Sequence, residues 1–260
     1  MSTSIIVTGA NGRMGSTIAG LAAKDRDLNL VGVVERPGSE RGLESFRAPV
    51  FTDLQKAMAD SPGAVVVDFT SPEAGMDLVR SCQEHSCAAV LGTTGFSSEQ
   101  TAEMEKLAET APIFWAPNMS VGINTLLQIL PRLAGLLGQK YDMEISEIHH
   151  RYKKDAPSGT ALKLGQVLAE ARDLSLEEHG KYCRKGMIGE RSEEEIGVQT
   201  LRGGDVVGDH TVYFFGPGER IEVTHRAHSR ETFAQGALRA AAWISGRKPG
   251  RLYGMADLLS

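Results

Sequence analysis

The sequence predicts an α/β protein with a doubly wound parallel sheet, followed by a smaller α+β part with a mixed sheet. Three observations carry this. Five short apolar runs rich in β-branched residues alternate with helical patterns as far as Trp115. Continuous apolar strands of this kind belong to parallel sheets covered on both faces. After Asn118 the rhythm changes to one long apolar helix, then to strand-like runs with shorter connections. That second pattern suits an antiparallel or mixed sheet packed on helices.

The elements follow in order. Ile5-Ile6-Val7 is the first strand, and Met14 to Ala23 the helix behind it. Leu30 to Val34, Ala64 to Val67, Ala88 to Leu91 and Ile113 to Trp115 supply the other strands. Ser71-Pro72 reads as an N-cap with a proline at the first helical position, and Ser97 or Ser98 caps the next helix. Val121 to Leu137 is a long apolar helix interrupted at Pro131. Tyr141 to Ile148 is a strand, and a helix runs from Ser158 to about Arg172. Gly180 to Gly197, with Glu193-Glu194-Glu195, reads as a mobile or surface loop. Val198 to Leu201, His210 to Phe215 and Ile221 to His225 are strands, and alanine-rich Phe233 to Ser245 is a closing helix.

Composition narrows the function classes. The 260 residues are 41% hydrophobic and 23% charged, ordinary values for a soluble globular chain. A net charge of -5 argues against non-specific nucleic-acid binding, which needs a clustered basic surface. Cys82, Cys87 and Cys183 are odd in number and lack zinc spacing, so they read as reduced cysteines in a reducing cytosol. The N-terminus enters an apolar strand with no basic leader, so no signal peptide is expected. No run approaches the roughly 20 apolar residues of a membrane span. A cytoplasmic enzyme or binding protein is the expectation.

The first chemical motif is Thr8-Gly9-Ala10-Asn11-Gly12-Arg13-Met14-Gly15, where the first strand meets the first helix. Glycines there allow a tight turn, a close approach of backbone to a pyrophosphate, and close packing of helix on sheet. The helix N-terminus adds unpaired N–H groups and a positive dipole end. This is a variant of the Rossmann fingerprint, and a plain strand-to-helix turn would show the same spacing. Glu35 ends the second strand 26 positions after Gly9, where a carboxylate can accept from ribose hydroxyls. Arg36 beside it can pair with a 2′-phosphate, so the pair suits both NADH and NADPH. A solvated turn is the alternative. Asp68-Phe69-Thr70, Gly92-Thr93-Thr94 and Ala116-Pro117-Asn118 lie at carboxyl ends of parallel strands, the edge along which such sheets bind ligands.

The densest chemistry runs from Glu147 through His149, His150, Lys153 and Asp155 to Ser158-Gly159-Thr160-Ala161. It leaves a strand, crosses a basic loop and enters a helix. Ser158 is a good N-cap, and the N–H groups near Gly159 and Thr160 suit a carboxylate. His149, His150 or Lys153 can supply a proton near neutral pH. Adjacent histidines on a strand point to opposite faces, so they should do different jobs. No third ligand at useful spacing is evident, so no metal is expected. A solvated basic loop before a capped helix is the bland alternative.

This segment resembles the signature of the dihydrodipicolinate reductase family, as do the Gly9–Gly15 turn, Glu35-Arg36, Asp68-Phe69-Thr70, Gly92 to Phe96, Asn118 to Val121, and Arg202-Gly203-Gly204-Asp205. The resemblance implies a Rossmann-type dinucleotide-binding domain at residues 1–120 and 232–260, and a substrate-binding and oligomerisation domain at 121–231. It implies His149 as general acid/base, Lys153 as second proton donor, and His150, Lys153, Ser158, Gly159 and Thr160 as substrate contacts. It implies NADH or NADPH contacts at Gly9, Ala10, Asn11, Gly12, Arg13, Met14, Glu35, Arg36, Gly92, Thr93, Thr94, Ala116, Pro117, Asn118 and Met119. Met119 stands where the family usually has phenylalanine. The implied substrate is a cyclic dicarboxylate that loses water, receives hydride at ring C4 and a proton at C3. A homotetramer joined through the second-domain sheets is implied as well. Other amino-acid dehydrogenases would not need the Ser-Gly-Thr cradle beside paired histidines. A nicotinamide-sensing regulator would bind cofactor without consuming it.

Overall fold

The computed structural model describes residues 2–260. The chain forms two compact units, one reaching to Val121 and resuming over Arg230–Ser260, the other Gly122–Ser229. In the first unit, β1 (Thr3–Thr8), α1 (Arg13–Ala22), β2 (Leu28–Val34), β3 (Val50–Phe51), α2 (Leu54–Ala59) and β4 (Val65–Asp68) alternate strand and helix. The pattern continues through α3 (Pro72–Cys82), β5 (Ala88–Leu91), α4 (Ser98–Leu107) and β6 (Ile113–Trp115). β3 and α2 escaped the sequence reading because two and six residues are too short for a periodicity to register.

Side-chain alternation divides this sheet between two cores. Ile5, Val7, Val65 and Val67 enter one, while Ile6 and Val66 enter the other. Strand residues point alternately to opposite faces, so a run apolar at every position is stable only when both faces are covered. α3 begins as its sequence dictates: Ser71 caps it by accepting from the Ala74 N–H, and Pro72 opens its first turn. α4 carries a reciprocal capping box between Ser97 and Gln100.

The second unit comprises α5 (Val121–Leu137, apart from its first residue), β7 (Asp142–His149), α6 (Gly159–Glu170), α7 (Leu176–His179), β8 (Gly180–Lys181), β9 (Ile196–Arg202), β10 (Gly208–Gly216) and β11 (Glu219–Ala227). Its sheet order is β11-β10-β7-β9-β8. β7–β9 and β8–β9 are parallel, and the β10 pairings antiparallel, so the sheet is mixed. β7 alternates half-buried and buried residues along its whole length, and Met143 and Ile145 enter a core with Leu130, Leu164, Leu168, Val198 and Phe214.

Two expectations change here. α5 runs unbroken through Pro131, because the packing of its apolar face outweighs one missing backbone donor. Gly180–Gly197, expected as a mobile or surface loop, is a surface segment that begins as β8, ends in β9 and is anchored by ion pairs. Arg184 makes a bidentate pair with Glu144 at 2.9 and 2.6 Å and also holds Glu195. Arg191 pairs with Asp142 at 2.7 Å and Glu144 at 3.1 Å. Within the glutamate run, Glu195 is therefore an ion-pair partner.

The chain then returns to the first unit as α8 (Glu231–Ile244), β12 (Leu252–Tyr253) and α9 (Met255–Leu258). β12 pairs with β6, completing a fully parallel seven-stranded sheet of order β12-β6-β5-β4-β1-β2-β3. α8 buries Ala234, Ala237, Ala240 and Ala241 beside α1, on the core face opposite α2, α3 and α4. Gly236 lets α8 pass against the segment after β6, since a Cβ there would run into the Met119 carbonyl.

Candidate active site

One candidate site is a cleft of about 800 Å³ in the first unit, at the carboxyl ends of β1, β2 and β4. It is lined by Gly9, Asn11, Gly12, Arg13, Met14, Glu35, Arg36 and Thr70, among others. The glycine turn is tight. Gly9 sits at φ +59°, a conformation that L side chains rarely adopt. A Cβ on Gly12 would lie 3.0 Å from the Gly9 carbonyl, and one on Gly15 would collide with that same carbonyl. Gly12 starts α1 with no side-chain cap, leaving the first-turn N–H groups facing outward.

Glu35 is fixed rather than solvated. Its Oε2 accepts from the Asn11 N–H at 3.0 Å and its Oε1 from the Arg36 N–H at 2.9 Å. Its side chain is only 8% exposed, whereas that of Arg36 is 90% exposed. The Asn11 amide also donates to the Ser39 carbonyl, fastening the turn to the segment after β2. Ala10 is fully buried.

The neighbouring strand ends are organised by a buried carboxylate. Asp68 Oδ2 accepts the Thr8 and Thr70 hydroxyls at 2.6 and 2.7 Å, and Oδ1 accepts the Thr93 hydroxyl at 2.8 Å. The hydroxyls of Thr70 and Thr93 thus face Asp68, and Thr93 is 5% exposed. Gly92 packs against the Phe69 ring so closely that a Cβ would overlap it. Thr94 is exposed, Pro117 exposed and Asn118 half-buried just beyond β5 and β6, while Ala116 and Met119 lie in the core. Met119 is 1% exposed, so its side chain acts as core packing. These residues border the sheet edge but do not line the cleft of β1, β2 and β4.

A second polar cluster is built by strand register within the other unit. β10 sets His210 opposite Glu147, and β9 sets Thr200 opposite Glu147 and Arg202 opposite His149. Glu147 and His149, two apart on β7, share a face, and His149 Nδ1 lies 2.6 Å from Glu147 Oε2. Arg202 donates to both Glu147 oxygens at 2.8 and 2.9 Å, and Thr200 donates at 3.2 Å. The Ser158 N–H, at the mouth of α6, donates to Glu147 Oε1 at 3.0 Å. Ser158 Oγ caps α6 by accepting from the Ala161 N–H at 3.1 Å, and meets His210 Nε2 at 3.1 Å.

Electrostatics follows from these contacts. Burial alone would raise the Glu147 carboxyl, but the bonds from Arg202, His149 and Ser158 outweigh it and hold it at about 2. Burial pushes His149 below the usual imidazole value against the pull of Glu147, with Lys153 and Arg202 adding to the depression. Burial, then the neighbouring His149, takes His210 down to about 4. The His149 and His210 rings meet edge-on at 5.2 Å. Gly208 lies against the Nε2 edge of the His149 ring, where a Cβ would sit 2.9 Å from that nitrogen.

His150 lies just past β7, with its Nδ1 buried and lacking a hydrogen-bond partner. Lys153 Nζ pairs with Asp155 at 2.9 Å. Gly159 is exposed and Thr160 half-buried in the first turn of α6. Strand β7, the basic loop and the mouth of α6 are thus tied together through Glu147 and Arg202. Sequence reasoning gave no role to Glu147, Thr200, Arg202 or His210. The one available signal was the Glu-x-His spacing on a strand. Among the described residues no group of His, Cys, Asp and Glu forms a metal-binding cluster.

Comparison with known proteins agrees with both halves. The family model for dihydrodipicolinate reductase, N-terminus, matches residues 3–119, and that for the C-terminus matches residues 122–259. The chain is 57% identical over 259 residues to 4-hydroxy-tetrahydrodipicolinate reductase of Oleidesulfovibrio alaskensis, covering all of both chains. It is 58% identical over 258 residues to the enzyme of that name from Nitratidesulfovibrio vulgaris, covering 99% of this chain and all of the other. A dipicolinate-bound dihydrodipicolinate reductase from Paenisporosarcina sp. TG-14 superposes with a TM-score of 0.78 at 25% identity, covering 99% of each chain. With two matched halves spanning nearly its full length, the chain belongs to the dihydrodipicolinate reductase family.

Proposed function

We propose that this protein reduces 4-hydroxy-tetrahydrodipicolinate to tetrahydrodipicolinate with NADH or NADPH, in diaminopimelate and lysine biosynthesis. The observation that carries the reading is the mouth of α6 joined through Glu147 to His149. The first unit is the dinucleotide-binding domain: α1 and the glycine turn hold the pyrophosphate, and Glu35 accepts from the adenosine ribose. Bound there, the reduced nicotinamide supplies a hydride to the substrate ring.

The second unit binds substrate. The N–H groups of Gly159 and Thr160 take one carboxylate, assisted by His150 and Lys153. His149 or Lys153 delivers the proton to ring C3. The buried Glu147 carboxylate favours a proton on His149 Nδ1, and burial keeps the ring ready to release its second proton. Arg36, almost wholly exposed beside Glu35, is placed to meet a 2′-phosphate, which supports use of both cofactors. The helix-distal face of the second sheet carries Tyr213 stacked on Phe215 at 5.7 Å and the half-exposed Leu201, an open face that supports a homotetramer joined there. No helix among the described residues is long and apolar enough to cross a membrane, and we place the enzyme in the cytoplasm.

The test is a coupled assay that forms the substrate in situ and follows NADH and NADPH oxidation separately. Precursor-dependent oxidation of both is expected. Cofactor binding without consumption would replace this reading with a sensor.

A further inference from the structure

We infer that Glu147 is the positioning residue of the substrate half of the site, setting the tautomer of His149 and the seat of the α6 N-terminus together. This deepens the reading above and rests on it for the catalytic consequence. Glu147 is fully buried, on the face of β7 that sends Met143 and Ile145 into the apolar core. A buried carboxylate persists only where donors surround it. Donors arrive here from three separate elements: His149 Nδ1 on its own strand, Arg202 and Thr200 on β9, and the Ser158 N–H at α6.

Each bond has a different consequence. The 2.6 Å contact places the proton of neutral His149 on Nδ1, because a carboxylate only accepts. Nε2 is then the nitrogen that carries or receives the working proton, and only a glycine at 208 fits beside it. The Ser158 bond fixes the first turn of α6 relative to β7, so the carboxylate cradle and the acid/base sit at a set distance. Arg202 also donates to the Asp155 carbonyl at 2.7 Å, which secures the far end of the basic loop carrying Lys153. A single side chain thus ties the acid/base, the carboxylate seat and the loop between them. The charged and titratable groups around His149 are Glu147 on its own strand, Lys153 and Asp155 in the loop, Arg202 on β9, and His210 on β10 with His225 beyond it.

The first measurement needs neither substrate nor cofactor. Nitrogen-15 spectra of the wild-type protein above the His149 titration should show Nδ1 protonated and Nε2 bare. The Nε2–H tautomer would overturn the inference even if the reductase reaction is confirmed. The second is Glu147→Gln, in which Arg202 and Ser158 meet an amide that cannot accept at both positions. It should lower kcat by roughly 10²-fold or more, with a smaller change in KM. The limb on which activity falls with rising pH should also move to lower pH, since the carboxylate that supports protonated His149 is gone. A folded variant with an unmoved limb and kcat within about threefold of wild type would refute the role. If the variant fails to fold, the wild-type tautomer decides.

Discussion

Asp68→Asn should destabilise the parallel-sheet unit by about 3 kcal/mol, although it changes one atom and no volume. Asp68 is 1% exposed and accepts four bonds: the Thr8 and Thr70 hydroxyls on Oδ2, the Thr93 hydroxyl and the Thr70 N–H on Oδ1. An amide turns one oxygen into a donor, so two of the four donors lose their acceptor whichever way it faces. Hydrogen bonds to charged groups contribute roughly 1.5–3 kcal/mol each, and a hydroxyl can rotate to accept from the new amide, which places the total near the lower bound. For a unit of this size the loss corresponds to a fall in Tm of about 6–12 °C. The assay is direct, because the protein's two tryptophans, Trp115 and Trp243, both lie in this unit. Their fluorescence in urea therefore reports its unfolding and not that of the other unit. The variant should also bind cofactor more weakly, since the Thr70 methyl would lie only 2.7 Å from a Cβ on Gly9 and so borders the phosphate turn. A loss below about 1 kcal/mol would show that the strand ends are held by their ladders alone.

Three further outcomes are expected. His149→Gln and Lys153→Ala should each lower kcat by roughly 10²–10⁴ if proton transfer limits the rate, and near-wild-type turnover in both would remove them from the chemistry. Arg36→Ala should weaken NADPH about tenfold more than NADH, as expected for one charge-assisted phosphate contact, and equal losses would refute that contact. The third concerns acid. His210 is depressed from 6.5 to about 4 by burial, so the unfolded chain takes up a proton that the folded one refuses. Its contribution, about 3 kcal/mol, is full above pH 6.5, is lost as pH falls through 4, and is flat below. Amide exchange of β10 should show that loss in the wild type and a shallower slope in His210→Gln. Parallel slopes would mean that His210 is not the group responsible.

Much of the fold was legible because apolar periodicity is a local property. The strands Ile113–Trp115 and Ala88–Leu91 appear in the structure with the bounds that their composition indicates. Ser71, Ser97 and Ser158 cap helices as their sequence neighbours require. Failures came where local signal was weak or outvoted. β3, α2 and β12 are too short to show a period. Pro131 broke a helical pattern but not the helix, because core contacts of α5 with Leu130 and Ala134 at its buried stripe dominate. The charged segment before β9 looked mobile until Arg184 and Arg191 met Glu144, a partner some 40 residues earlier.

From sequence alone came the two-part α/β architecture, the glycine turn, the His-Lys loop and its capped helix, because each depends on neighbours within about 15 residues. Tertiary structure decided which groups meet. His210 and Arg202 reach Glu147 only through the pairing of β10 and β9 with β7, and a slip of one residue would turn them to the opposite face. Likewise Thr8 and Thr93, at the ends of β1 and β5, find the Asp68 carboxylate only after the parallel sheet has formed. Register and burial are properties of the assembled sheet, and a linear chain does not display them.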